Sequence, residues 1–320
     1  MRKLLLGTTA LAAAATLSAN AIADISISGY YEWKYQSRSS NITTNDGTTF
    51  ANDSEIVFKF SNKTDSGLDI SLTTELESDD ADTAINESSM TIAGGFGKLV
   101  LGNNDHVGDN YGIEEGDLIA EEINATGVDS LTLLDSDIAG MDGDNNKIAY
   151  HLPAMGGLTA GVSFTNSGAS GASDTTAVGA RYAMSAGGAS ITLGAATATT
   201  EDSTQDIDSQ NMGMKVVTGN VSVIVSQGKY EASSTDETGT GAGISFKVND
   251  AMSIGAFTVE VEDDTSSEEY TNTGAEIKYT IASGLTAFIN VEDYDYKVGT
   301  STSTTADSGT VSKLTIKATF

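Results

Sequence analysis

Acidic side chains are the most concentrated chemical feature of this 320-residue sequence. From Leu99 to Asn146 there is no Lys or Arg, and carboxylates recur every few residues. Carboxylates in such numbers can attract cations, bind hard metal ions or act as acid–base pairs. The first seven of this stretch are Asp105, Asp109, Glu114, Glu115, Asp117, Glu121 and Glu122.

The sequence offers few partners for enzyme chemistry. It contains two histidines, His106 and His151, and no cysteine, so a zinc site of three or four ligands would have to rely on carboxylates. Paired carboxylates are so frequent that they identify no catalytic dyad. No nucleophile elbow, phosphate loop or dinucleotide fingerprint stands in the right context. We therefore expect neither an enzyme nor a bound cofactor.

Calcium binding by the acidic loops stays open as an alternative. The segment Asp142-Gly143-Asp144-Asn145-Asn146 resembles the start of a calcium-binding loop. The later glycine and the bidentate glutamate of such a loop are missing. The candidate ligands are therefore Asp142 and Asp144 alone.

The first residues predict an exported protein. Arg2 and Lys3 precede an apolar run that ends at Leu17, and Ala21-Ile22-Ala23 is a small-x-small cleavage site. The run is shorter than the roughly 20 apolar residues of a membrane anchor. We expect residues 1–23 to be a cleaved signal peptide and residues 24–320 to form one domain. Removing the two basic residues shifts the formal net charge from −29 to −31, which excludes nucleic acid as a partner.

Regular alternation of apolar and polar residues dominates the rest of the chain. It is clearest in 25–35, 68–77, 285–292 and 313–320, and it is typical of strands whose two faces meet different surroundings. The same pattern over the whole chain predicts sixteen strands. They lie near 24–37, 54–62, 68–78, 86–94, 97–103, 146–153, 157–166, 175–185, 189–199, 209–217, 221–231, 241–249, 252–262, 271–281, 285–296 and 310–320.

The connections alternate between short and long. Short ones are rich in Gly and Asn, as in 94–97, 218–220 and 282–284, and are typical of hairpin turns. Long ones include 38–53, 104–145, 200–208, 232–240, 263–270 and 297–309. Short turns at one end and long loops at the other indicate a transmembrane antiparallel β-barrel. The single proline in the sequence suits such a sheet, since proline cannot donate to a strand ladder.

Three stretches resemble the general porins of alphaproteobacteria and their relatives. The start of the mature chain, 25–30, is similar to the first strand of that family; 86–103 and 147–161 are similar to its strands four to seven. The resemblance implies a homotrimer in the outer membrane of a Gram-negative bacterium, with lipid and lipopolysaccharide around it. It also implies a third long loop that folds into each sixteen-stranded barrel and narrows it.

Most basic residues share the parity of the inner face. Exclusion from lipid explains this on its own, and a positive pore wall is the second interpretation. Barrel closure would bring Lys34 and Lys59 near Lys313 and Lys317. Arg181 is the only arginine at an inward parity by this count, fewer than the resemblance implies. The nine inward-facing residues are Lys34, Lys59, Lys147, Arg181, Lys215, Lys247, Lys278, Lys313 and Lys317.

The third loop, residues 104–145, joins its acidic residues to apolar ones such as Ile113, Ile119 and Leu133. We expect the apolar side chains to fix the loop to the inner wall, with a short helix over 117–123, and the carboxylates to face the opening. Rings of carboxylates favour cations. An acidic loop that lies outside the barrel is the alternative.

The sequence therefore predicts an outer-membrane porin, a water-filled channel through which ions and small hydrophilic solutes diffuse, with a preference for cations. A solute-specific channel and a structural or adhesive surface barrel remain as alternatives.

Overall fold

The structure is a computed structural model and describes residues 24–77, 85, 87–119, 131–137, 145–166, 173–201, 206–299 and 305–320. The predicted signal peptide, residues 1–23, lies outside the described residues.

Sixteen antiparallel strands form one closed ring. Each strand pairs with its neighbours in sequence, and β16 pairs with β1. This confirms the predicted fold. The strands are β1 (Asp24–Ser40), β2 (Gly47–Lys63), β3 (Asp69–Glu77), β4 (Ser88–Gly94), β5 (Gly97–Asn103), β6 (Asn146–His151), β7 (Leu158–Asn166), β8 (Asp174–Ala186), β9 (Ala189–Glu201), β10 (Asp206–Thr218), β11 (Val221–Ala232), β12 (Thr235–Lys247), β13 (Met252–Asp263), β14 (Glu268–Ala282), β15 (Leu285–Lys297) and β16 (Asp307–Thr319).

Helical structure in the described residues is confined to connections between strands. Helix α1 (Val107–Tyr111) and a 3-10 helix (Glu115–Leu118) belong to the third loop, and a second 3-10 helix (Thr43–Asn45) joins β1 to β2. None of these helices is long and apolar enough to cross a membrane.

The two faces of the barrel differ in chemistry. On β1, Tyr31 and Trp33 point outward and are 46% and 37% exposed, whereas Glu32 between them is 3% exposed. Large apolar side chains at this outward parity recur around the ring, for example Ile148, Leu193, Val225, Ile244 and Ile289. Because the outside is apolar and the inside polar, the reverse of a soluble domain, this surface suits hydrocarbon.

Aromatic side chains mark one edge of the apolar surface. The ring centroids of Trp33 and Phe50 lie 5.6 Å apart, and those of Tyr35 and Phe50 lie 5.5 Å apart. All three residues point outward from β1 and β2. Such rings collect at the level of lipid headgroups, where one end of the side chain is apolar and the other wet.

Three of the predicted long loops are wrong. Residues 38–53 mostly belong to β1 and β2, and residues 232–240 hold the turn between β11 and β12 and the first part of β12. Residues 263–270 hold a short turn between β13 and β14. The strands continue past the apolar belt, where both faces are polar. The alternation on which the sequence prediction rested therefore stops before the strands do.

The opposite ends of the strands have tight turns, as predicted. Gly187 and Gly188 join β8 to β9 with φ angles of 59° and 84°. Two successive residues in this left-handed region form a turn whose twist matches that of the paired strands, and glycine adopts it without strain.

A polar cluster joins the first and last strands near their long-loop end. The Arg38 guanidinium donates to Asp307 Oδ2 at 2.5 Å and to the Tyr294 hydroxyl at 2.9 Å, and Asn45 donates to Asp307 at 2.9 Å. Arg38 therefore faces inward, which corrects the count in which Arg181 was the only arginine at that parity. The sequence missed it because Arg38 was assigned to a loop.

We expect Ile244→Lys to destabilise the barrel, because Ile244 faces outward from β12 and is 50% exposed. A lysine facing lipid costs about 2–4 kcal/mol near the membrane midplane and less toward its edges. Ser245→Lys, one residue further and facing inward, is the matched control. Urea unfolding in lipid vesicles measures both, and an equal loss of free energy in the two variants would contradict the assigned faces.

Candidate functional site

The third loop runs inside the barrel along one side of its wall. Helix α1 contacts β7, β8 and β9, and the 3-10 helix Glu115–Leu118 contacts β11, β12 and β13. This confirms the prediction of a loop folded into the lumen. In a ring of sixteen strands, β9 lies half a turn from β1. The described part of the loop therefore faces β1 and its neighbours across the lumen.

Glycines line the wall where the loop crosses it, and many stand in register on neighbouring strands. Gly161 pairs with Gly179, and Gly194 pairs with Gly213. Together with further inward glycines they form a strip of the inner wall from β7 to β13 with few side chains, which we name the glycine trough. Its members are Gly161, Gly179, Gly194, Gly213, Gly228, Gly239, Gly241, Gly243 and Gly255.

The loop lies too close to the trough for any side chain there. A Cβ atom at Gly179 would stand 2.7 Å from the Cβ of Tyr111, and one at Gly213 would stand 2.7 Å from the Cβ of Ile113. Nonbonded carbon atoms prefer about 3.5–4.0 Å. The absence of side chains therefore decides how far the loop stands from the wall, and with it how much of the lumen stays open.

The first limb of the loop is fixed by a capped helix. His106 Nδ1 accepts from the backbone N–H of Gly108 at 2.9 Å, and His106 Nε2 lies 3.2 Å from an Asp109 carboxylate oxygen. Tyr111, at the end of α1, has its hydroxyl 2.9 Å from His151 Nδ1 on β6. Both histidines therefore position the loop, and His151 lies on the inner wall as its parity predicted.

The returning limb is held by apolar packing and by one wall carboxylate. Glu237 accepts hydrogen bonds from the backbone N–H groups of Thr132 and Leu133, at 2.9 and 2.7 Å. Tyr294 and Tyr296, inward by parity but unexplained by the sequence, are buried here against the loop. The cluster consists of Leu131, Leu133, Val259, Val261, Tyr270, Tyr294, Tyr296 and Val311.

Glu115 does not face the opening, unlike the position expected for it. Its side chain is fully buried against the wall, where Ser136 and Ser226 donate to Oε2, while Oε1 has no hydrogen-bond partner. Burial raises the pKa of Glu115, and the nearby Asp135 carboxylate raises it further, against the hydrogen bonds from the two serines. Burial therefore disfavours the ionised form of Glu115 relative to a carboxyl group in water.

Other predicted carboxylates of the loop do reach solvent in the lumen. Asp105, Asp109 and Asp117 are exposed, and Glu114 is half-buried. Asp117 lies 4.0 Å from the Arg181 guanidinium. Glu121 and Glu122 lie outside the described residues, as do Asp142, Asp144 and most of the predicted helix 117–123. The described helical turn ends at Leu118 instead.

On the facing wall, the predicted basic residues are neutralised by acidic ones. Lys34 Nζ lies 2.8 Å from Glu32 Oε2 and 3.1 Å from Asp53 Oδ2. Lys317 Nζ contacts the other oxygen of Glu32 and stands 4.1 Å from the centre of the Tyr30 ring. Two ammonium groups thus share one carboxylate that is almost completely buried, which leaves this sector mixed in charge.

The remaining predicted basic residues are dispersed. Lys313 is opposite Gln36, one inward position above the Lys34 level, whereas Lys59 is opposite Ser26 near the tight turns. The four lysines expected in one sector therefore include three that are close together. Arg181 lies on the loop side, where it donates to the backbone carbonyl of Gly112.

A sequence model of the Gram-negative porin family matches residues 7–299. The chain belongs to the Gram-negative porin family. The family and the closed barrel place this porin in the outer membrane as a channel, and its short turns face the periplasm. A search of curated protein sequences finds no match.

Solved porin structures share the fold at low sequence identity. OmpT of Vibrio cholerae, in a trimer form, is 13% identical with a TM-score of 0.68, covering 93% of this chain and 99% of its own. An anion-selective porin from Comamonas acidovorans is 16% identical with a TM-score of 0.64, covering 93% and 100%. A porin refined at 1.8 Å resolution is 17% identical with a TM-score of 0.67, also covering 93% and 100%.

Several residues that position the loop of this porin were missed by the sequence analysis. The glycine trough carries a readable signal, since glycine recurs at inward positions on consecutive strands. Whether these glycines are neighbours depends on the register between strands, which the sequence of one strand does not reveal. Asn211 and Glu237 have no such signal, because their partners are backbone groups of the loop about a hundred positions away. His106 was missed for a different reason, since it caps a helix that the sequence did not predict.

Within the described ranges, no group of three or more Asp, Glu or His side chains could hold a metal ion. Because Asp142 and Asp144 lie outside those ranges, calcium binding by the acidic loops stays a prediction.

We expect Gly179→Ala to lower the single-channel conductance. The added methyl group meets Tyr111 at 2.7 Å and must push α1 away from the wall into the opening. Gly95→Ala is the control, because no atom lies within 4 Å of that Cβ position. Planar-bilayer recording compares the two, and an unchanged conductance in Gly179→Ala would show that the trough does not set the loop position.

The attachment of Glu115 is expected to depend on pH. Since burial raises its pKa, the neutral form holds the loop at acidic pH, and attachment weakens as the pH rises through that raised pKa. Open-channel current noise should grow with pH in the wild type but not in Glu115→Gln. Asp117→Asn, which alters an exposed carboxylate one turn away, should keep the wild-type trend. Parallel pH profiles for wild type and Glu115→Gln would refute the assignment.

Proposed function

We propose that this porin is a passive diffusion channel for ions and small hydrophilic solutes, that it prefers cations, and that it works as a homotrimer. Its signal peptide, residues 1–23, is removed on export, and the mature barrel, residues 24–320, contacts outer-membrane lipid and lipopolysaccharide.

The preference for cations is supported by the carboxylates of the third loop. Asp105, Asp109 and Asp117 are exposed side chains of a loop that lies inside the barrel. In a narrow, low-dielectric passage a fixed carboxylate acts on a passing ion more strongly than in bulk water. Such groups raise the local concentration of cations and exclude anions.

The facing wall supports the same preference. Lys34 and Lys317 would attract anions if they stood alone, but both contact Glu32, and Lys34 also contacts Asp53. Their charge is therefore offset within a few ångströms, and the wall offers little positive field to balance the loop. This local neutralisation is the observation that carries the proposal.

The barrel fold is compatible with either ion preference, since the Comamonas acidovorans relative is described as anion-selective. The sign must come from side chains, which differ at 16% identity. In this chain 45 acidic residues stand against 16 basic ones. A random distribution of these charges would already favour cations, and their placement on the loop adds to it.

A homotrimer is supported by polar side chains on the outward face of β2, β3 and β4. Asn52, Thr74 and Ser88 are at outward parity, and the Thr74 and Ser88 hydroxyls lie 3.3 Å apart. Polar groups facing hydrocarbon are costly even when they bond to each other, and contact with a second copy would remove them from lipid. The Vibrio cholerae relative is described in a trimer form.

Reversal potentials across a potassium chloride gradient test the selectivity of the purified protein in a planar bilayer. We expect a reversal potential with the sign of a cation-preferring pore. We also expect a current that rises linearly with solute concentration. A clear anion preference would overturn the proposed selectivity. A saturating current would indicate a solute-specific channel, and no conductance at all would favour a structural or adhesive role.

Neutralising one loop carboxylate should weaken the preference measurably. One unit charge about 8 Å from a passing ion contributes roughly 0.5 kcal/mol even at the dielectric constant of water, favourable for a cation and unfavourable for an anion, which together is about a fivefold change in permeability ratio. Because the Arg181 guanidinium lies 4.0 Å from Asp117 and offsets part of this field, Asp117→Asn should lower the cation-to-anion ratio about twofold at low salt. Asp65→Asn, in a tight turn between β2 and β3, is the control that keeps the wild-type ratio, and equal ratios in both variants count against the loop as selector.

A further inference from the structure

One side chain in the glycine trough reaches both limbs of the third loop. The Oδ1 atom of Asn211 accepts from the backbone N–H of Ile113 at 2.9 Å. Its Nδ2 atom donates to the carbonyl of Ile113 at 3.1 Å and to the carbonyl of Ser136 at 2.7 Å. Ile113 belongs to the limb that follows α1, and Ser136 belongs to the returning limb.

Asn211 stands out from its neighbours on the wall. It is opposite Ala196 on β9 and Gly228 on β11, and the next positions in the same row are Gly179 and Gly239. An amide thus projects from a row of otherwise small side chains. It is 2% exposed, so water cannot replace the hydrogen bonds that it makes.

The three hydrogen bonds use both donors of the amide and its acceptor oxygen. The amide oxygen and one amide N–H bond to the backbone N–H and C=O of Ile113, as the backbone of a neighbouring strand would. This pair of bonds fixes the orientation of the amide. The second N–H then points to the other limb. Only Asn or Gln supplies one acceptor and two donors at a single position, and neither Asp nor Leu, which have a similar shape, can do so.

We propose that Asn211 is the positioning residue that holds both limbs of the third loop against the wall and thereby sets the width and steadiness of the channel opening. This inference rests on the proposed diffusion function. The glycine trough permits the close approach, and Asn211 maintains it at the point where the two limbs meet.

The test compares Asn211→Ala with wild type and with Gln210→Ala by single-channel recording and by the solute size limit of swelling liposomes. Gln210 carries the same amide on the adjacent, outward-facing position, so it controls for loss of an amide from β10. We expect Asn211→Ala to lose the single steady conductance level and to admit solutes of a different size limit, and Gln210→Ala to behave as wild type.

A purely structural role for Asn211 is separated by measuring the barrel itself. Strands carry the stability of the ring, so the heat-induced change in electrophoretic mobility should be the same for Asn211→Ala and wild type. Conductance should change although the barrel does not. If Asn211→Ala fails to fold, Asn211→Asp serves as the second variant, since it keeps the acceptor for Ile113 and loses both donors.

A reversible cross-link supplies a rescue. Ser136 and Ser226 have hydroxyl oxygens 2.6 Å apart, and the chain has no cysteine of its own. The double substitution Ser136→Cys and Ser226→Cys, added to Asn211→Ala, should restore the steady level when oxidised and lose it after reduction. The same cysteine pair with Asn211 intact controls for loss of the serines.

The outcomes distinguish this inference from the function on which it rests. If the wild type does not conduct, the proposed diffusion function itself is overturned. A conducting wild type whose steady level and size limit persist in Asn211→Ala overturns the role of Asn211 alone. A steady level that the oxidised cross-link fails to restore would also overturn it, because the returning limb would then not be what the amide holds.

Discussion

The pairing of β16 with β1 is the constraint on which the rest of the barrel depends. A strand edge in hydrocarbon would leave a row of N–H and C=O groups without partners, so the sheet must close on itself. Closure separates an outside from an inside, and every second residue is then assigned to one of them. The Arg38–Asp307 contact fastens the same seam at its outer end, where water could otherwise compete for the last backbone pairs.

Closure also lets the two halves of the inner wall differ. From β7 to β13 many inward positions are glycine, so the third loop lies close to the wall and only a few side chains such as Asn211 and Glu237 reach it. Around β1, β2 and β16 the wall keeps long charged side chains such as Glu32, Lys34 and Lys317, which project into the lumen. The loop therefore adheres to one half and leaves the passage along the other. Neither half could be exchanged, since a side chain under the loop would lift it.

The sequence predicted the parts of this arrangement that depend only on residues within one strand. Alternation on one strand reveals its faces, so all sixteen strands and the inward position of Lys34 or His151 could be found without a structure. Parity failed for Arg38 and for 232–240, where the strands leave the membrane and both faces are polar. It also could not show that Glu115 turns toward the wall or that Asn211 meets Ile113, because those contacts join residues about a hundred positions apart. These contacts depend on the register between several strands, and the sequence of one segment does not reveal that register.

The proposed preference for cations depends on how the charges are distributed between the strands and the third loop. Basic groups on the strands lie among carboxylates of the same wall, as Lys34 does between Glu32 and Asp53, and their fields largely cancel at short range. The exposed carboxylates Asp109 and Asp117 belong to the loop, on the opposite side of the passage. Their field at the centre therefore depends on how closely the loop is held to its trough. Under this proposal selectivity and pore width are coupled, since a loop that moves off the wall brings its charge nearer to the ion as it narrows the path.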